Sequence, residues 1–286
     1  MAGVSQRHAL LLVVAAALCW SLLGVWGKQA QAAGVGPVEI GFWRALTAGL
    51  LFAGQTLVTG ARLPRGRDLA KTAGLGLVCV ATFYVSYQYA VRLGGASLAS
   101  VLLYTAPAMV AVLGWAVLRE RLSLIEGAAV TISITGVAAI SLGGGAGVVV
   151  SLGSVTSGLT AAACYALYYL AGRRLFGRYQ PCAVLTVMML TGAAGLAPLT
   201  RSHPSSPTGW LYVAGLGLVC TWLAYLLNGW GLKHLPAART AVVSSVEPVA
   251  AMVLAATVLG ERLTWLALAG AGLVVGAAVM LGRARA

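Results

Sequence analysis

Apolar runs of about twenty residues follow one another along almost the whole chain, and they limit its fold more than any other feature. A helix that crosses a hydrocarbon core of ~30 Å needs ~20 predominantly apolar residues. Only 9% of the residues are charged, whereas soluble domains reach ~25%. Such a chain cannot cover a water-facing surface, so the sequence predicts an all-α membrane protein.

About ten transmembrane helices are predicted, separated by turn residues or charge at 34–37, 64–67, 143–145 and 203–207. The predicted spans are 9–31, 38–59, 71–92, 96–118, 124–142, 152–175, 181–200, 208–232, 238–259 and 265–282.

The basic residues alternate between the two sides of this arrangement. Fourteen Lys and Arg residues fall at the N-terminus, in the even-numbered loops and at the C-terminus, against four in the odd-numbered loops. The positive-inside rule then predicts a multi-pass protein of the plasma (inner) membrane with both termini in the cytoplasm. The net charge of +13 is explained by these loops, and we predict no nucleic-acid partner.

The chain repeats itself at an offset of 141 positions. The matched elements are 75–79 with 216–220, Pro107 with Pro248, and 120–123 with 261–264. We therefore predict two five-helix repeats, 1–145 and 146–286. Because five is odd, the second repeat is inverted, which is the architecture of many secondary transporters.

The element P-x12-E-R-L-[S/T] closes both halves. It begins at Pro107 in the first half and at Pro248 in the second. Together with 42–44 (Phe-Trp-Arg) and 247–248 (Glu-Pro), it resembles the drug/metabolite transporter superfamily, and the EamA-type exporters in particular. The resemblance covers nearly the whole chain. It implies export of amino acids or related metabolites, aromatic and large neutral amino acids among them, through a central cavity between the halves.

Arg44 and Glu247 are the two charged residues that lie clearly inside predicted spans, away from their ends. A charge at that depth costs ~2.5–3.5 kcal/mol and is usually functional or paired. In one interpretation they line the cavity, where Arg44 attracts a carboxylate and Glu247 an ammonium group or a proton. In the other they are structural clamps. Pro107 and Pro248 interrupt equivalent spans and are predicted hinges or gates, with a static bend as the alternative.

Aromatic and amide side chains at mid-span are the other cavity candidates, because they bind amphipathic solutes by stacking and hydrogen bonds. For each of them, packing between helices is the alternative. They are Trp20, Tyr84, Gln88, Tyr104, Tyr165, Tyr168, Trp222, Tyr225 and Asn228.

The sequence predicts neither an enzyme nor an ATP-driven pump. It has no P-loop, and its histidines and cysteines are scattered without ligand spacing, so we predict no catalytic residues, no metal and no cofactor. The expected partners are a small-molecule substrate and the lipid bilayer. A membrane sensor or channel is the alternative function. Gly272 and Gly276 form a GxxxG pair for packing within the chain or in a dimer, and we favour a monomer.

Overall fold

The computed structural model describes residues 6–118, 123–143, 149–201, 204, 206–259 and 263–283, and these contain helices and no strand. The family motif 120–122 and the pair 261–262 lie outside the described residues. The helices are α1 (Gln6–Ala32), α2 (Pro37–Thr59), α3 (Gly66–Gly76), α4 (Phe83–Leu103), α5 (Ala106–Leu113), α6 (Leu124–Gly143), α7 (Leu152–Arg178), α8 (Pro181–Leu196), α9 (Pro207–Gly217), α10 (Ala224–His234), α11 (Ala237–Ser244), α12 (Glu247–Leu259) and α13 (Trp265–Arg283).

Seven helical stretches within the described residues are long and apolar enough to cross a membrane. They are Gln6–Ala32, Gly66–Gly95, Leu98–Ala116, Leu124–Gly143, Pro181–Leu199, Pro207–His234 and Ala237–Val258. Helices α2 and α7 are as long, with 23 and 27 residues, but polar residues such as Arg44, Tyr165 and Arg173 interrupt their apolar surface. The chain is therefore a helical multi-pass membrane protein.

Local sequence signals set the helix ends. Pro37 occupies the first turn of α2, where its missing N–H costs nothing, and Gly60 ends that helix in the left-handed conformation (φ 62°). Ser151 and Ser154 form a reciprocal capping box at the start of α7. Gly95, with φ 85° and ψ 158°, breaks α4 and separates two apolar stretches. The sequence predicted a boundary at this place, between 92 and 96.

Two kinds of helix interruption recur at the repeat offset. A π-helical turn at Leu77–Thr82 joins α3 to α4, and a second at Leu218–Leu223 joins α9 to α10, 141 positions later. Helix α4 ends at Leu103 and α5 begins at Ala106, just as α11 ends at Ser244 and α12 begins at Glu247. Pro107 and Pro248 therefore follow breaks at matching positions.

Helices α2 and α8 pack side by side in opposite directions. Gly41 lies against Leu196, Gly49 against Leu190, and the Thr56 and Thr186 hydroxyls are hydrogen-bonded at 3.0 Å. As the residue number rises along α2, the number of the contacting residue in α8 falls, so the two helices are antiparallel. The small residues let the two backbones approach closely.

Helices α6 and α13 are also antiparallel. Gly136 lies against Gly270, and Gly143 lies against Ala267 and Thr264. The Thr264 hydroxyl donates to the Gly143 carbonyl at 2.8 Å. Helix α1 also packs against α10, and α4 packs against α7. The buried core lies along α7, α8 and α11, and all eight residues of α11 are buried.

Candidate substrate cavity

A cavity of about 370 Å³ lies at the centre of the bundle. Its walls come from α1, α2 and α4 on one side and from α7, α10 and α12 on the other. Nine of the residues that the sequence singled out lie on its wall: Trp20, Arg44, Tyr84, Gln88, Tyr104, Tyr165, Tyr225, Glu247 and Pro248.

The cavity opens towards the end of the bundle where α1 ends and α2 begins, here called the α1–α2 end. Exposed residues of that region, including Gly24, Lys28, Gln31 and Pro37, line it. The opposite end, where α1 begins and α13 finishes, is called the terminal end. Towards the terminal end the cavity is closed by buried side chains.

Arg44 is held in a fixed orientation across the bundle. Its Nε donates to the Thr221 hydroxyl at 3.0 Å, and its guanidinium carbon lies 4.9 Å from the centre of the Tyr84 ring. Thr221 belongs to the π-helical turn before α10 and donates in turn to the Leu216 carbonyl at 2.9 Å. The Arg44 η nitrogens have no hydrogen-bond partner among the described residues. They are therefore available to an anion in the cavity.

Glu247 is the first residue of α12, directly after the break in the helix. Tyr104 and Arg44 lie on the same cavity wall as Glu247. Within the described part of the chain, no ion pair joins Arg44 to Glu247. A cation and an anion thus face one cavity without neutralising each other by direct contact.

Aromatic rings form much of the remaining wall. Trp20 meets Tyr225 edge to face, with ring centres 5.3 Å apart. Phe83 stacks on Tyr165 with centres 5.9 Å apart and an angle of 16° between the planes. Because α1, α4, α7 and α10 each supply a ring, an apolar or aromatic solute entering the cavity meets aromatic surface on several sides.

The closed end contains a buried hydrogen-bond network. Tyr165 and Tyr169 share a hydrogen bond of 3.0 Å between their hydroxyls, and Tyr169 donates to the Ser244 hydroxyl at 2.9 Å. The amide of Asn228 donates to the same Ser244 oxygen at 3.3 Å and accepts from Tyr168 at 3.1 Å. The network joins α7, α10 and α11. It places Tyr168 and Asn228 behind the cavity wall.

Two other residues singled out by the sequence lie away from the wall. Trp222 packs beside Phe52, and its Nε1 donates to the side-chain oxygen of Gln55 at 3.3 Å. Pro107 is buried in the first turn of α5. Its counterpart Pro248 lies on the wall.

Sequence reasoning missed several wall residues, including Phe83, Tyr87, Lys28 and Ser100. Tyr87 lies one turn after Tyr84 on the same helix, so helical spacing was a usable signal for it. Lys28 was counted only as a loop charge. Among the described residues, no three His, Cys, Asp or Glu side chains are grouped to hold a metal ion.

A solved crystal structure has the same fold. It superposes with a TM-score of 0.85 over 98% of this chain and 99% of its own, at 21% sequence identity. This likeness supports the helical arrangement described above.

Proteins named as transporters are similar to this chain in sequence. An uncharacterized transporter of Archaeoglobus fulgidus is 29% identical over 84% of this chain and 86% of its own length. A protein of Streptantibioticus cattleyicolor named as a probable terminal-alkyne amino-acid exporter is 28% identical over 87% of this chain and 85% of its own.

Each half of the chain matches one family. The EamA-like transporter family matches twice, over residues 7–142 and 152–283. The chain belongs to the EamA-like transporter family, a part of the drug/metabolite transporter superfamily, as its motifs predicted.

Proposed function

We propose that the protein is a secondary transporter that exports amino acids, aromatic or large neutral ones in particular, by alternating access. The observation that carries the proposal is the central cavity. It presents the guanidinium of Arg44 and the carboxylate of Glu247 between aromatic walls, with Lys28 at its open end.

An amino acid matches this arrangement chemically. Its α-carboxylate pairs with the η nitrogens of Arg44, which form a fork suited to two parallel hydrogen bonds. Its ammonium group pairs with Glu247. The side chain then lies among rings such as Trp20 and Tyr225, and a volume of about 370 Å³ falls in the range of ~300–1,000 Å³ typical of small-molecule sites.

The mechanism requires two inverted five-helix halves, 1–145 and 146–286, with ten spans in all. Three observations support it: the interruptions that recur 141 positions apart, the antiparallel packing of α2 with α8 and of α6 with α13, and the two family matches. Rocking of one half against the other around a central site exposes that site to each side in turn. Pro107 and Pro248, which follow the matching helix breaks, are the proposed hinges.

The membrane orientation follows from the distribution of Lys and Arg. We place the protein in the plasma membrane with both termini in the cytoplasm. The terminal end of the bundle then faces the cytoplasm. The cavity of this structure then opens to the outside. An exporter in this state has released its substrate and is closed to the cytoplasm.

The proposal is tested by counterflow in proteoliposomes. Vesicles loaded with unlabelled L-phenylalanine, L-leucine or L-glutamate are diluted into the labelled form of the same amino acid. We expect exchange of phenylalanine and leucine. Glu247→Gln is expected to lower that exchange, because Gln cannot balance the ammonium charge.

Glu126→Gln is the matched control. Glu126 caps α6 through Ser123, at a distance from the cavity, and Gln retains the capping geometry. Exchange by this variant should equal that of the wild type. Absence of counterflow for all three amino acids would refute the amino-acid proposal, and a steady one-way leak independent of internal substrate would indicate a channel instead.

Coupling to protons is tested in the same vesicles. Glu247 is the only Asp or Glu on the cavity wall among the described residues. A response of transport to an imposed pH gradient must therefore disappear in Glu247→Gln and persist in Glu126→Gln. Equal rates with and without the gradient in the wild type would identify a facilitator.

A further inference from the structure

One tyrosine on the cavity wall carries a hydroxyl group without a hydrogen-bond partner. Tyr84 of α4 lines the cavity and is 8% exposed, and its hydroxyl oxygen is buried and unpaired among the described residues. Buried hydroxyls are nearly always hydrogen-bonded, because an unpaired one has lost its contact with water and gained no other. The Tyr84 hydroxyl therefore destabilises the ligand-free protein.

Neighbouring tyrosines show that packing in this bundle does not leave hydroxyls unpaired. Tyr165, Tyr168 and Tyr169 are buried as deeply as Tyr84, and their hydroxyls have partners at distances between 2.9 and 3.1 Å. These three bonds belong to the network at the closed end of the cavity. Tyr84 differs from them in having an unsatisfied group beside the space that a ligand would fill.

Two residues of α2 hold the Tyr84 ring in place. A Cβ on Gly41 would lie 3.1 Å from Cδ2 of Tyr84, so the glycine lets the ring lie close to the backbone of α2. One turn later, Arg44 packs on the same ring, with its guanidinium carbon 4.9 Å from the ring centre. The unpaired hydroxyl thus belongs to a side chain that is fixed on two sides.

A ligand carboxylate is the group that suits this hydroxyl. The η nitrogens of Arg44 have no hydrogen-bond partner among the described residues. Because Arg44 packs on the Tyr84 ring, an anion bound by these nitrogens lies beside the tyrosine. A phenolic hydroxyl donates to a carboxylate in a charge-assisted hydrogen bond. Small side-chain rotations of the kind that bring the two groups together are common when a ligand binds.

We infer, on the basis of the proposed function, that Tyr84 and Arg44 together form the carboxylate subsite of the cavity. Arg44 supplies the charge and two donors, and the Tyr84 hydroxyl supplies a further donor. The hydroxyl gains its partner only when a carboxylate is bound. Tyr84 therefore determines specificity, because a ligand without a carboxylate leaves the buried hydroxyl unpaired.

Binding of three probes to purified protein tests this assignment. Tyr84→Phe removes the hydroxyl and keeps the ring on which Arg44 packs. Measured by calorimetry, it should weaken L-phenylalanine and 3-phenylpropionate about tenfold and leave phenethylamine, which has no carboxylate, unchanged. Tyr89→Phe is the matched control, because it makes the same change on the same helix at a residue that is 51% exposed and does not line the cavity. It should bind all three probes as the wild type does.

Thermal unfolding of the ligand-free protein provides a second measurement. Tyr84→Phe should unfold at the wild-type temperature or above it, because no hydrogen bond is lost. Tyr169→Phe makes the same chemical change but loses two buried hydrogen bonds, so it should unfold at a lower temperature. This comparison needs no ligand and does not depend on which solute is transported.

The outcomes separate the subsite from the substrate. Four results would overturn the inference: no binding of either carboxylate probe to the wild type, equal weakening of all three probes, unchanged affinity of Tyr84→Phe for 3-phenylpropionate, or an unfolding temperature as low as that of Tyr169→Phe. Failure of amino-acid counterflow together with selective weakening of 3-phenylpropionate in Tyr84→Phe would refute only the amino-acid substrate. The carboxylate subsite would then serve a different organic acid.

Discussion

Replacing Arg44 by methionine should remove recognition of the carboxylate while leaving the apolar walls in place. Its guanidinium is fixed by Thr221 at 3.0 Å and by stacking on Tyr84, so its η nitrogens are already oriented for a bound anion. Methionine retains a similar apolar length without the charge.

The magnitude follows from the number of bonds lost. A hydrogen bond to a charged group contributes ~1.5–3 kcal/mol, which corresponds to a factor of ~10–150 in affinity. We therefore expect Arg44→Met to weaken L-phenylalanine binding by at least ~10-fold. Binding is measured as the concentration that halves counterflow of labelled phenylalanine, or by calorimetry on purified protein.

Three related ligands make the experiment specific. Phenethylamine lacks the carboxylate, and 3-phenylpropionate lacks the ammonium group. Arg44→Met should weaken phenylalanine and 3-phenylpropionate but leave phenethylamine unchanged or bound more tightly, because Glu247 then has no competing cation. Equal weakening of all three ligands would show that Arg44 maintains the shape of the cavity and does not bind the carboxylate.

Three further predictions concern stability and are measured as thermal unfolding of purified protein in detergent. Tyr169→Phe should lower the unfolding temperature, because it leaves the buried Tyr165 and Ser244 hydroxyls short of a partner at a cost of ~1–3 kcal/mol. Tyr179→Phe is the control, because it loses a single part-buried hydrogen bond to Asp68. Gly270→Ala should destabilise the protein by ~1–3 kcal/mol, since the new Cβ would lie 2.5 Å from the Gly136 backbone oxygen, whereas Gly276→Ala meets nothing within 4 Å and should be neutral. Arg178→Ala should change stability by less than ~0.5 kcal/mol, because its ion pair with Asp68 at 3.5 Å is 71% exposed on the arginine side; a loss as large as that of Gly270→Ala would contradict this reasoning.

Helix positions were predictable because hydropathy and turn chemistry act locally. The predicted span 38–59 corresponds to Pro37–Thr59, and 124–142 to Leu124–Gly143. Proline at the first turn and glycine after the last turn restrict the backbone whatever the helix packs against.

The face that each helix presents was less predictable, and α10 shows why. Trp222, Tyr225 and Asn228 follow a spacing of three that places them on one side of a regular α-helix. Trp222, however, lies in the π-helical turn Leu218–Leu223, whose i to i+5 bonding alters the rotation per residue. Only Tyr225 of the three reaches the cavity wall.

The sequence pattern also did not predict which glycines make the close contacts between helices. The GxxxG pair Gly272 and Gly276 has nothing within 4 Å of an added Cβ, whereas Gly136, Gly143 and Gly270 make the close approaches between α6 and α13. A small-residue motif shows that close packing is allowed on a face. Which face is used depends on the rest of the bundle, which a single helix does not encode.

The scaffold and the site differ in symmetry, and this difference has a mechanistic consequence. The helix breaks and π-helical turns occur in both halves, and Tyr84 has Tyr225 as its counterpart. Glu247, in contrast, corresponds to Ala106, so the carboxylate occurs once. A symmetric scaffold provides two states of similar free energy, while a single Arg44–Glu247 pair gives the cavity one polar axis. Under the proposed alternating access, an amino acid bound along this axis would keep the same orientation in both states, so the halves could move around it without releasing either of its charged groups.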